Sequence, residues 1–161
     1  MSRNTFEDCA APLSETDILN FEKQLGATLP TAFKQHYLKF NGGKAKNTYW
    51  IDAANNEPME ISYFKSISAP KESNPVSVLS SYESMVKKNV IPKRLLPFAT
   101  DLGGNFFCID LETGAVVFFA TDSFDPEISL EDNQKHAEQK LCPSFEKFIA
   151  DLINEDDIDE Y

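Results

Sequence analysis

LLPFATDLGGNFFCIDLETGAVVFFAT, residues 95–121, holds three short apolar runs, at 95–99, 106–109 and 115–120. Asp101-Leu102-Gly103-Gly104-Asn105 separates the first two, and Leu111-Glu112-Thr113-Gly114 separates the last two. Runs of this length, rich in Phe, Val and Ile and bounded by Gly and Asp, read as strands joined by tight turns. Glycines at such turns tolerate the positive φ that they require. Val116-Val117-Phe118-Phe119 is apolar at every position, so both faces of that strand are expected to meet protein. The expected centre of the fold is an antiparallel meander covered on one face by helices.

Upstream of the meander, residues 78–88 read as a helix with Leu79, Tyr82, Met85 and Val86 on one side, and Ile91-Pro92 leads back to the sheet. Residues 65–77, with Pro70, Pro75 and four serines, read as a mobile loop. Residues 48–51 form a short aromatic strand. Residues 59–64 alternate, with Met59, Ile61 and Tyr63 on one face, and Asn55-Asn56-Glu57-Pro58 is the turn before them. Further out lies a helical hairpin. Ser14 with Asp17 three residues on is a capping signal, followed by the stripe Ile18, Phe21, Leu25 and a stop at Gly26. The second helix opens at Leu29-Pro30, with Pro in the first turn, carries Phe33, Tyr37 and Phe40 on one face, and ends at Asn41-Gly42-Gly43. Residues 1–13 are a polar leader.

Downstream, residues 122–140 are acidic and polar, with Phe124, Ile128 and Leu130 as anchors. They read either as a surface excursion or as a short helix. Ser144 then caps a last helix with Phe145, Phe148, Ile149, Leu152 and Ile153 on one stripe. Acids from Glu155 to Glu160 would oppose the dipole at its C-terminus, so order is expected to fade near Asn154. The reading is a single domain over residues 14–154, with the leader at 1–13 and an acidic tail at 155–161. Its class is α+β: an N-terminal helical hairpin, a central antiparallel sheet of five or six strands, and a C-terminal helix packed on the sheet.

Composition bounds the function. At 161 residues, 42% hydrophobic and 12% aromatic, the chain is ordinary globular material for one domain. No apolar run approaches the roughly 20 residues that cross a bilayer, and residues 1–5 lead into no apolar signal core. A cytoplasmic location is expected. Cys9, Cys108 and Cys142 are odd in number and widely spaced, which suits neither a disulfide framework nor a zinc site; no cofactor or metal is expected. The net charge of −11 is uneven: residues 1–121 carry 13 acids and 12 bases, and residues 122–161 carry 13 acids and 3 bases. An acidic quarter argues against nucleic acid or an anionic membrane as partner, since both need Lys and Arg to meet phosphate. It reads either as a solvated face or as a surface that steers in a basic protein.

The order of these motifs resembles that of the SUKH superfamily, the Smi/Knr-like proteins. Leu29-Pro30 before an aromatic helix that ends in Phe40-Asn41-Gly42-Gly43 is similar to its N-terminal signature. Ile91-Pro92 through Leu96-Pro97-Phe98-Ala99 resembles its proline-flanked approach to the sheet, the 101–110 segment its central hairpin, and Ser144-Phe145 to Leu152 its closing helix. The resemblance spans about residues 14–154. It implies an α+β fold and, for most bacterial members, a binding protein encoded beside a secreted or contact-delivered toxin, often a nuclease or nucleic-acid deaminase. A fungal branch, with long disordered flanks, acts in regulation of cell-wall synthesis.

Catalytic alternatives are thin. Asp101 and Asp110 flank the Gly-rich hairpin and can be drawn as an acid–base pair, although local turn bonding explains them more simply. Gly103-Gly104 lacks the context of a phosphate loop. His36 and His136 have no nucleophile motif nearby, and Trp50 reads as core. The reading is therefore a non-enzymatic immunity protein that binds a cognate, basic toxin domain; the alternative is a scaffold or regulator with an endogenous partner. With a nuclease as toxin, Asp122, Asp125, Glu127, Glu131 and Asp132 would stand in for phosphates in its cleft. Glu155, Asp156 and Asp157 would contribute secondarily.

Overall fold

The computed structural model describes residues 4–54, 56–67, 76–122 and 124–160. In chain order its first half runs β1 (Phe6–Glu7), α1 (Glu15–Leu25), α2 (Thr31–Lys39), β2 (Lys44–Ala45), β3 (Tyr49–Ile51), β4 (Pro58–Glu60) and β5 (Tyr63–Phe64). The second half runs α3 (Val78–Lys87), β6 (Leu95–Thr100), β7 (Phe106–Asp110), β8 (Val116–Phe119), α4 (Leu130–Ala137), β9 (Glu138–Cys142), α5 (Phe145–Asp151) and a 3-10 helix (Glu155–Glu160).

The 95–121 stretch does form the middle of the sheet. Five antiparallel strands lie in the order β5-β6-β7-β8-β9, with β1-β2 and β3-β4 as separate two-stranded ladders. Side-chain alternation along the central strands divides the apolar residues between two cores. Leu96, Phe98, Phe107, Ile109 and Val116 join the larger one, with Phe33, Tyr37, Phe145 and Phe148 from the helices. Leu95, Phe106, Cys108, Val117 and Phe119 join the smaller one on the opposite face, with Ala137 of α4 and Met85 of α3 beside them. The sheet is thus covered on both faces, not one; the fully apolar strand β8 requires it. Arg94 ties the edge of this construction together, donating to Asp110 at the end of β7 (3.0 Å) and to Glu138 at the start of β9.

The hairpin of helices forms as the caps dictate. Ser14 Oγ accepts from Asp17 N (3.1 Å) while Ser14 N donates to Asp17 (2.8 Å), and Gly26 closes α1 in the left-handed region. Pro30 is the N-cap of α2 and lies one residue outside the first turn, and Phe40 is its extended C-cap. The alternation read over residues 59–64 is broken: Ile61 N donates to Thr48 O, and Ser62 N donates to Thr100 O (both 2.8 Å). The chain changes partner there, leaving β4 on β3 and placing β5 on β6.

The leader is built into the domain. Phe6, Ala10 and Leu13 are buried, and β1 pairs with β2. At the other end, α5 stops at Asp151, Ile153 bridges to Tyr49, and the acids from Glu155 start a separate 3-10 helix. Order therefore continues past Asn154, because Glu155, Asp156 and Asp157 occupy a new first turn, where free N–H groups favour acids. Of the expected 65–77 loop, Lys65, Ser66 and Ile67 are buried, and residues 68–75 lie outside the described residues, as do Asn55 of the preceding turn and Tyr161 of the tail.

Candidate interaction surface

Residues 122–140 resolve into a loop, α4 and β9, so both readings of this segment hold in part and a strand is added. Three contacts fix the loop. Phe124 sits against Phe119 (ring centroids 6.3 Å apart). The buried Asn133 side chain accepts from Asp125 N (2.7 Å) and donates to Asp125 O (2.8 Å), so one amide serves as a strand partner for one loop residue. Ser129 Oγ accepts from Asp132 N (3.1 Å) and caps α4. Ser129 with an acid three residues on is a capping signal that fixes the helix start from sequence; nothing in the sequence marks Asn133 as a latch.

This frame holds Asp122, Asp125, Glu127, Glu131 and Asp132 in exposed positions. Asp125 Oδ1 accepts from Glu127 N (2.9 Å), and Glu131 lies 3.5 Å from Lys135 in an exposed i, i+4 pair worth only a few tenths of a kcal/mol. Leu130, nearly half exposed, sits among them. The other three acids lie elsewhere. Glu155 follows the Ile153–Tyr49 bridge, and the Tyr49 hydroxyl is pushed up to about 12 chiefly by its hydrogen bond to Glu60, with Glu155 adding to the effect. Asp156 N donates to Asn154 Oδ1 (3.0 Å), and Asp157 is exposed beside it. Five of the eight acids thus stand exposed on one segment, and of the C-terminal three Glu155 lies near Tyr49 of β3.

Asp101 and Asp110 do not converge. They stand at opposite ends of β7, roughly 15 Å apart at about 3.4 Å per residue. Asp101 accepts from Gly103 N and Asn105 N (2.9 Å each), and Asp110 accepts from Glu112 N (2.9 Å) and from Arg94. Both carboxylates cap turns, the simpler of the two readings that the sequence offered. Trp50 is core, 5.0 Å from Phe148, and Cys108 is buried with its thiol pushed well up by desolvation. His136 is exposed. Among the described residues no cluster of His, Cys, Asp and Glu could hold a metal, and no helix is long and apolar enough to cross a membrane.

His36 flanks the core, its ring set edge-on against two phenylalanines. A cleft of about 380 Å³ between the N-terminal segment, α2 and α5 is lined by Phe6, Phe40 and Phe145 with His36. The imidazole meets the Phe6 and Phe145 rings at 4.8 and 5.1 Å, and its Nε2 is buried without a hydrogen-bond partner among the described residues. Burial, with Lys39 as the lesser cause, lowers its pKa from 6.5 to about 4. The unfolded chain then binds the extra proton between pH 6.5 and 4, so stability present above 6.5 is lost as pH falls through that window. We expect a loss of about 2 kcal/mol between pH 7 and 5. Urea midpoints for wild type and His36→Phe over this range check it: a variant with the same pH slope as wild type contradicts the assignment.

A family model, described as the SMI1 / KNR4 family (SUKH-1), matches residues 12–151. The chain belongs to that family. SUKH domains are generally non-catalytic immunity proteins of toxin systems that act by binding toxins. No individual curated protein matches the sequence. The SUKH-1 match covers every element from α1 to α5, so the two-faced sheet and its helical cover are the family domain. It begins at residue 12, after β1 and after the Phe6 side chain that closes the His36 cleft.

Proposed function

We propose that this SUKH-1 protein is an immunity protein that neutralises a cognate bacterial toxin by occupying its basic surface. The observation that carries the reading is the fixed, exposed display of Asp122, Asp125, Glu127, Glu131 and Asp132 in a C-terminal quarter holding 13 acids and 3 bases. A toxin that acts on nucleic acid needs a basic cleft for phosphate, and a display of exposed carboxylates is its electrostatic complement. The fixed loop matters because a backbone already held by Phe124, Asn133 and Ser129 need not be ordered on binding. Glu155, Asp156 and Asp157 would add a second, separate contact, and the protein would act in the cytoplasm of the producing cell.

The test is a pull-down with the protein encoded immediately upstream, followed by co-expression with its C-terminal domain. Tight binding with rescue of growth is the expected result. Reversing Asp122, Asp125, Glu127 and Glu131 to Lys should weaken that complex by about 2 kcal/mol or more and flatten its salt dependence. Unchanged affinity at both low and high salt would sink the acidic-row reading. Absence of any binding or rescue would shift the assignment to a regulator with an endogenous partner.

A further inference from the structure

The acidic loop and α4 lead directly into β9, and β9 ends the sheet. Its register fixes which backbone groups are free. Phe119 pairs with Glu138, Phe118 with Gln139 and Val117 with Lys140, and Ala120 N donates to Ala137 O (3.0 Å). In an antiparallel ladder, hydrogen-bonded pairs alternate with non-bonded ones. Gln139 therefore exchanges its bonds with Phe118, and the N–H and C=O groups of Glu138 and Lys140 point away from β8. No described strand pairs on that side. The opposite edge is different: β5 has two residues and is continued by a bridge from Phe64 to Gly43.

We propose that the open edge of β9 is a strand-addition site for an extended, basic segment of the partner. The proposal rests on the immunity reading for the identity of that partner, and on the ladder alone for the site. Main-chain bonds to Glu138 and Lys140 would supply affinity, and flanking charge would supply choice. Charge selects the occupant. A second copy on this edge would bring together two quarters of 13 acids and 3 bases each, whereas a basic strand meets the opposite sign. Lys140 and the register shift between Val116 and Val117 guard against indiscriminate pairing. The strand that fits is therefore basic at its ends and uncharged where it faces Lys140.

Amide hydrogen exchange on the full chain tests this with two ligands: the upstream-encoded toxin domain, and a capped hexapeptide of sequence Lys-Val-Thr-Val-Thr-Lys. Either should slow exchange at Glu138 and Lys140 by about tenfold and leave Gln139, already bonded to β8, unchanged. N-methylation of alternate peptide nitrogens should abolish the slowing, and a peptide with Glu at both ends should produce none. Lys140→Pro removes an outward N–H and leaves the β8 ladder intact, so it should also abolish the response. Should that variant not fold, the N-methylated peptide gives the same decision. If the toxin domain binds while Glu138 and Lys140 exchange freely, the edge proposal falls and the immunity reading stands. If the toxin domain does not bind at all, the immunity reading falls and the peptide decides the edge. Concentration-dependent protection of the same two amides without ligand would assign the edge to a second copy and overturn the proposal.

Discussion

Replacement of Phe98 by alanine is expected to cost about 3–5 kcal/mol of folding free energy. Phe98 is fully buried, and its ring meets Phe145 at 5.2 Å, Phe64 at 5.7 Å, Phe148 at 6.0 Å and Phe33 at 6.1 Å. Those partners come from α5, β5 and α2, so one side chain of β6 couples both helices to the sheet. Truncation removes the apolar area and leaves a cavity whose walls are rings from three elements, which cannot all move inward together. A typical domain has only about 5–15 kcal/mol to lose. Urea unfolding should show a lower midpoint at an unchanged slope. A loss below about 1 kcal/mol would mean that the helices are held on the sheet by something other than this ring cluster.

Gly43→Ala is the second large effect, and its origin is the backbone. Gly43 has φ +102, and an added Cβ would lie 2.4 Å from Glu7 O and 3.0 Å from Cys9 Sγ. Left-handed backbone costs a residue with a Cβ about 1–2 kcal/mol, and forcing an atom into packed surroundings adds about 1–3 kcal/mol. Relief requires β1 to part from β2, so amide protection at Glu7 and Lys44, the bonded pair of that ladder, should fall before that of the central sheet. Gly26→Ala is the control: its φ is +75 but nothing lies within 4 Å of the added Cβ. It should lose only the backbone part. Equal losses at the two sites would refute the steric account. The Gly42-Gly43 pair that marks the family resemblance thus meets two close approaches: the backbone of residues 64–66 at Gly42 and the leader at Gly43.

The central strands and helices were legible because each carries its own periodicity: Gly-bounded apolar runs for β6–β8, and stripes at three and four for α1, α2 and α5. What failed was whatever depends on a partner distant in sequence. Phe6–Glu7 becomes a strand only because Lys44–Ala45 lies beside it. The alternation read over 59–64 does not survive, because Ile61 and Ser62 turn to different strands. β9 reads Glu-Gln-Lys-Leu-Cys, which has no clear alternation, since its place on the edge is set by β8. The candidate surface was legible as charge and not as geometry. Counting acids located residues 122–132, but the Asn133 latch that orders them, and the separation of residues 155–157 from them, exist only in three dimensions.

The same latch has a consequence for how such a protein can change partners. The loop is held by Phe124, by the Asn133 amide acting on the Asp125 backbone, and by the Ser129 cap. Of the five clustered acids, only Asp125 lends its side chain to this framework, through Glu127 N. Asp122, Glu127, Glu131 and Asp132 project from a scaffold that does not depend on their identity. If these acids meet the partner as proposed, recognition chemistry and folding chemistry are uncoupled along one short stretch. Substitutions there would then redraw the surface, residue by residue, while the sheet beneath continues to fold as before.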